Sequence, residues 1–192
     1  MGANNIYEIK YDTITLTGLQ AVAAKATYRM FSVPFDGSSK YRWQTNQVKA
    51  NQCDYSVMNV MGIYVRVFTN SVAVMPTMDD VEKFIKNCSL TIYKNTVPVY
   101  QTPLAKIGGG NQLTGFITNT NASALSIPTN GIAHLDEMFK FAGSSSGTGI
   151  QFVQDEQLDI QIVAETTFTP SATVYAQLGF YCDTWQTLGS GN

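Results

Sequence analysis

Two alternating runs near the carboxyl end, joined by a short turn, set the tightest limit on what this chain can fold into. In the first, Leu158, Ile160, Ile162 and Ala164 fall on one face, with Asp159, Gln161 and Glu165 mostly opposite. In the second, Val174, Ala176, Leu178, Phe180 and Cys182 share a face, with Thr173, Gln177 and Gly179 opposite. A period of two marks a strand with one buried face, because successive side chains leave opposite sides of the pleat. Thr169-Pro170-Ser171 supplies the turn, since proline sits poorly inside a central ladder. The pattern predicts an antiparallel pair with one dry side. Such a pair needs a second layer to cover it.

The rest of the chain supplies that layer. Residues 6–16 form a first strand whose imperfect alternation fits a bulge or an edge position. Residues 18–27 read as a helical turn or a loop, and YRMFSVPF as a short strand ended by Pro34. A polar, turn-rich stretch follows, with Asp36-Gly37 as a tight turn. The run from Tyr55 to Met75 is apolar on both faces: Val57, Met61, Ile63, Val65 and Val67 on one, Met58, Val60, Tyr64 and Phe68 on the other. It reads as a central strand, covered on both sides or bent between two environments. Arg66 falls on the bulky second face and needs a partner if buried. One short helix is expected near 78–87, with Asp79 and Asp80 early, Val81, Phe84 and Ile85 as a stripe, and Lys83 and Lys86 late, as the helix dipole favours. Residues 88–102 read as two strands turning near Lys94-Asn95, the second an edge because it contains Pro98. QLTGFITNT is another strand candidate, and GIAHLDEMFKFAG fits a short helix slightly better than a strand. No strand–helix alternation and no repeat emerges. The expectation is an all-β chain: a single antiparallel β-sandwich over residues 1–192, jelly-roll or related Greek-key in topology, with flexible termini.

Charged residues make up only 14% of the chain, against about 25% in an ordinary globular protein. Thr, Asn, Gln, Ser and Tyr take their place, which suits a β-rich surface or one covered by neighbours. The charge is unevenly placed. Lys25, Arg29, Lys40, Arg42 and Lys49 face the single Asp36 in that region, while after Lys140 only acidic residues remain. The two patches can neutralise each other within one domain or steer head-to-tail contacts between copies. Three cysteines without CxxC spacing argue against a disulfide framework while leaving room for one bridge and one free thiol, and Cys182 reads as a buried thiol. No window is apolar enough for a membrane span, the first residues lack signal-peptide character, and Ile6 breaks a myristoylation motif at Gly2.

Signals for chemistry are thin. His134 is the sole histidine, no GxSxG occurs, and Gly108–Gly110 lacks the lysine of a phosphate-binding loop. Asp79/Asp80, Asp136/Glu137 and Asp155/Glu156 are adjacent pairs that do not face one another, and strand pattern follows Asp155 too soon for a calcium loop. No catalytic, metal or cofactor site is expected. The Asn121-Ala122-Ser123 triplet matches a glycosylation sequon without the secretory context one needs. The candidate interaction surface is Lys40, Tyr41, Arg42, Trp43 and Lys49 with Trp185. Direct nucleic-acid binding is disfavoured, because so few cations in an acidic chain make a thin footprint. Tyr7, Tyr11, Tyr41, Trp43, Tyr175, Tyr181 and Trp185 could line a sugar-binding face, although tyrosine is common in strands for packing reasons alone.

With its strand richness, its Thr/Asn/Gln-rich loops, its low charge and the terminal QLDIQIVAETTFTPSATVYAQLGFYC segment, the chain resembles the small single jelly-roll structural proteins of virus and phage particles. The resemblance implies a non-enzymatic capsid or vertex subunit located in the virion. Its partners would be copies of itself and other virion proteins, met through loops and termini. The alternative is a glycan- or receptor-binding β-sandwich module, such as a spike or tail component.

Overall fold

The structure, a computed structural model, describes residues 3–69, 78–107, 139–141 and 149–187. These form two antiparallel sheets and one short helix. The strands in chain order are β1 (Ala3–Leu16), β2 (Thr27–Met30), β3 (Val57–Phe68), β4 (Cys88–Lys94), β5 (Val97–Pro103), β6 (Phe139–Lys140), β7 (Ile150–Val153), β8 (Leu158–Ala164) and β9 (Val174–Thr187). The helix α1 (Met78–Asn87) lies between β3 and β4. The first sheet runs β1-β9-β3, with β6 and β7 sharing the far edge of β3; the second runs β2-β8-β4-β5.

The two terminal runs are strands as expected, but they do not pair with each other. β8 sits between β2 and β4 in the second sheet, and β9 between β1 and β3 in the first. The segment joining them crosses from sheet to sheet, and it does not cross alone. Gly18 N–H donates to Thr173 Oγ1 (3.0 Å), Leu19 N–H to the Pro170 carbonyl (2.8 Å), Val22 N–H to that of Phe168 (2.8 Å) and Lys25 N–H to that of Ala164 (2.6 Å). Residues 18–25, neither helix nor free loop, therefore run as a ribbon with 164–173. The ribbon turns so tightly at Gly18 that a β-carbon there would meet the Ala172 backbone at 2.6 Å. Pro170 marks a corner between sheets, where a hairpin turn was expected.

Both dry faces nevertheless point into one core. Val174, Ala176, Leu178, Phe180 and Cys182 of β9 and Leu158, Ile160, Ile162 and Ala164 of β8 are all buried in a single apolar cluster. β3 reaches that cluster with its parity broken. Met58 and Val60 point inward, the register slips between Val60 and Gly62, and then Ile63, Val65 and Val67 point inward. The extra residue, Met61, is a β-bulge, and it explains why straight alternation places the wrong residues together. Past the bulge, Tyr64, Arg66 and Phe68 lie on the outside of the first sheet.

Helix α1 matches its sequence signals. Asp79 pairs with Lys83, and Glu82 with Lys86 at 2.7 Å; Val81, Phe84 and Ile85 are buried. Asp80, 2% exposed, accepts the Ser171 N–H (2.7 Å) and hydroxyl (2.6 Å), which fastens the helix to the sheet-to-sheet crossing. Proline-bearing β5 is an edge strand, as expected, and so is β1. β1 begins at Ala3, opposite Thr187, so part of each terminus expected to be flexible belongs to the β1·β9 ladder. In GIAHLDEMFKFAG, Phe139–Lys140 is strand. The QLTGFITNT strand, Gly108–Gly110, the Asn121 sequon, His134 and the Asp136/Glu137 pair lie outside the described residues.

Cys53, Cys88 and Cys182 are free, buried thiols. Burial raises all three above the ordinary thiol range, Cys88 to about 12. Because the thiolate is the nucleophile, the folded protein at pH 8 should resist alkylation by iodoacetamide at all three cysteines. Mass spectrometry should find three modified residues only after denaturation; rapid labelling of any one in the native state contradicts the burial.

Candidate binding cleft

The outward faces of the two sheets differ in chemistry. The second presents mainly polar groups, Thr27, Arg29, Ser89, Thr91, Gln101, Asp159 and Gln161, with Tyr93 and Val163 among them. The first presents Tyr7, Ile9 and Tyr11 from β1, Tyr64, Arg66 and Phe68 from β3, and Tyr175, Gln177, Tyr181 and Trp185 from β9, since residues directly opposite in a ladder share a face. Polar outside faces are the rule for a two-sheet β domain. An aromatic one marks the side that meets something else.

Residues 35–47 complete this face by docking on the free edge of β1. The Asp36 carboxylate gathers the N–H groups of Ser38, Ser39 and Lys40, which holds its pKa well below the ordinary carboxylate range and closes the expected turn at Asp36-Gly37. The Asn46 side chain then takes the place of a neighbouring strand, accepting Tyr11 N–H (2.9 Å) and donating to the Ile9 carbonyl (2.7 Å). Thr13 Oγ1 donates to the Gln44 carbonyl at 2.7 Å. An edge strand is thus covered without a further strand. The docking carries Trp43 over the sheet, edge-to-face on Tyr175 (5.1 Å between centroids) and on Phe68 (6.1 Å).

Between Trp43 and the sheet lies an open cleft of about 330 Å³, lined by Ile9, Tyr11, Trp43, Tyr64, Arg66, Phe68 and Gln177. Its floor depends on one glycine. Tyr64 lies opposite Gly179 in the ladder, and a β-carbon there would fall 2.0 Å from the Tyr64 ring. The ring lies flat on the space a side chain would fill. Burial pushes the Tyr64 phenol up to about 12, only partly countered by Arg66, so it stays a neutral hydroxyl at physiological pH. Arg66 lies over the Phe68 ring at 4.5 Å, and its buried Nε has no hydrogen-bond partner among the described residues. No carboxylate lines the cleft. Gln177 is fixed by donating to Thr13 Oγ1 (3.2 Å) and to the Trp43 carbonyl (3.3 Å).

The residues singled out from sequence do not form one surface. Trp43 lines the cleft, and Tyr41 stands exposed beside it. Lys40 is turned inward, its ammonium 2.6 Å from the buried Asp12 carboxylate. The Arg42 guanidinium lies over Phe35 at 4.5 Å, and its carbonyl accepts the Tyr11 hydroxyl. Lys49 pairs with Asp155 (2.7 Å) and Lys25 with Glu165 (2.9 Å), so the basic and acidic stretches neutralise each other inside the chain at these contacts. Trp185 is elsewhere. At about 3.3 Å per residue along β9, it lies roughly 33 Å from Tyr175, where Trp43 packs. It adjoins Val57, which faces Val153 in turn. Of the aromatic residues considered for sugar, Tyr11 and Trp43 line the cleft, Tyr175 supports Trp43, and Tyr7 stacks on Tyr181 at 6.0 Å. Tyr64, Phe68 and Gln177 carry no sequence signal of their own; a lone arginine in the apolar run, Arg66, is the one clue to the cleft floor.

No protein-family model, curated protein or solved structure matches the chain. Among the described residues no cluster of His, Cys, Asp and Glu could hold a metal ion, and no helix is long and apolar enough to cross a membrane.

Proposed function

We propose that the chain is a non-enzymatic structural subunit of a virion-type particle, assembling with copies of itself. The observation that carries the reading is the order of pairing. β1 pairs with β9, β2 with β8, β3 with β7 and β4 with β5, which is one long antiparallel ribbon folded at the β4–β5 turn and wound so that successive pairs alternate between sheets. This order of pairing supports reading the two sheets as a jelly roll, a fold used by capsid and lectin domains. The bound 18–25/164–173 corner favours it further, since both strands of the ribbon cross together.

The end of the first sheet offers a self-complementary contact. Trp185, 41% exposed, and Val153, 39% exposed, flank Val57 in a row across β9, β3 and β7. Nearby, the β1 edge from Ala3 to Glu8 receives no backbone hydrogen bond from a further described segment, whereas Ile9 and Tyr11 are covered by Asn46. A second copy laid antiparallel on that edge would satisfy the open ladder groups and bring its own chain beside Trp185, one strand in from the edge, the isologous contact of a two-fold pair.

Light scattering coupled to size exclusion, over a range of concentrations and at low and high salt, tests this. A discrete oligomer is expected. It should persist at high salt, because the opposite charges that could join copies are engaged within each chain and the contact is apolar. Trp185→Ser should shift the mass toward monomer. A strict monomer at high concentration overturns the reading.

A further inference from the structure

We propose that the cleft under Trp43 binds a saccharide bearing a carboxylate, such as a terminal uronic or sialic acid. This goes beyond the assembly reading and does not depend on it, because a single chain provides the whole cleft.

The argument starts from the cation. Arg66 sits on the aromatic side of a sheet with its Nε buried and unsatisfied among the described residues, and no acidic side chain lines the cleft. A buried guanidinium nitrogen without a partner is costly unless something arrives to accept from it. The planar fork of arginine matches a carboxylate with two parallel hydrogen bonds, and its stacking on Phe68 at 4.5 Å fixes the plane in which they are offered.

The other walls decide what carries the carboxylate. Trp43 and Tyr11 offer ring surface, while the neutral Tyr64 hydroxyl and the fixed Gln177 amide offer polar groups between them. A sugar ring has that mixture, with an apolar C–H face to lie on an aromatic ring and hydroxyls at its rim. A nucleobase would prefer a slot between two parallel rings. The one stacked pair here, Phe68 and Tyr175, has centroids 5.8 Å apart and so is already in contact. A phosphate or sulfate polymer would call for several cations; this cleft lines itself with one. At about 330 Å³ the open cleft is at the small end of ligand sites, the scale of one or two sugar rings.

The two tryptophans make the test clean. Trp185→Phe leaves Trp43 as the sole indole, placed on the cleft wall. The full chain would be applied to an immobilised panel of uronic-acid-terminated, sialic-acid-terminated, sulfated and neutral oligosaccharides, and the strongest binder titrated against Trp43 fluorescence in the Trp185→Phe protein. Binding confined to carboxylated members is expected, with a saturable change in Trp43 emission. Arg66→Gln should weaken it roughly ten- to a hundredfold, the loss of a charge-assisted contact, while the circular dichroism spectrum and the oligomeric mass stay those of the parent protein. Arg66→Lys should restore only part. Gly179→Ala, which displaces Tyr64 across the floor, should also weaken binding. Binding to no member, binding of neutral or sulfated members alone, or carboxylated binding that survives Arg66→Gln overturns the proposal.

Discussion

Replacing Phe180 with alanine should lower the free energy of unfolding by about 3–5 kcal/mol, the range for deleting a large aromatic side chain from a packed core. The side chain is fully buried at the centre of β9 and stacks on Phe31 with ring centroids 5.5 Å apart. Phe31 follows β2 directly, so this one ring pair joins the first sheet to the chain leaving the second. The cavity would open between layers that no disulfide holds together, since none of the three cysteines is bridged. Urea unfolding followed by circular dichroism checks it. A loss under about 1 kcal/mol, the scale of a volume-conserving swap, would mean that the two sheets close over the gap and that this contact does not hold the layers.

Local physics was readable in the sequence where an element is decided locally. The carboxylates and lysines of α1 give both its ends, and Pro98 gives β5 its place at an edge. Burial of Leu158–Ala164 and Val174–Cys182 follows from simple alternation. Partnership is not local. Nothing in the sequence between Glu165 and Thr173 distinguishes a hairpin turn from a corner, because what makes it a corner is hydrogen bonding to residues 18–25, some 140 positions away. The same holds for β3, where one extra residue at Met61 reverses which side chains look outward. The cleft inherits both difficulties. Arg66 stands out in an apolar run, but Tyr64 becomes part of a floor only when the register brings Gly179 beneath it, and Trp43 and Trp185 separate only when β9 is known to be one long strand. Charge was misleading for a related reason. Lys40 looks like surface in a polar loop, and it is the partner of a buried aspartate in β1.

That aspartate should show the other large effect. Asp12 is fully buried on the inward side of an edge strand, where its two oxygens take the Lys40 ammonium at 2.6 Å and the Phe31 N–H at 2.6 Å. Phe31 is held at φ 59°, a left-handed conformation that a bulky residue adopts only under constraint, and the hydrogen bond from its N–H supplies one. Asp12→Ala should cost about 3–5 kcal/mol, because it leaves an ammonium without its counter-charge in the interior and an amide without an acceptor. Asp12→Leu combined with Lys40→Met should cost less than Asp12→Ala alone, since removing both charges also removes their desolvation. What remains should be about 1–3 kcal/mol, for the orphaned Phe31 N–H. The pH dependence has a definite sign. Burial raises the Asp12 carboxyl above its ordinary value by more than Lys40 and the Phe31 N–H lower it. A raised folded-state pKa means that the contribution is fully present below the unfolded value, about 3.9, and is lost as pH rises through the folded value. The stability of the native protein relative to Asp12→Asn should therefore fall from about pH 4 upward until the folded-state carboxyl has ionised, then level off. If it rises over that window instead, pairing with Lys40 outweighs burial, and the inward-facing ion pair of β1 is a stabilising contact in its own right. A fall identifies the ionised carboxylate as a net cost that the fold carries at neutral pH.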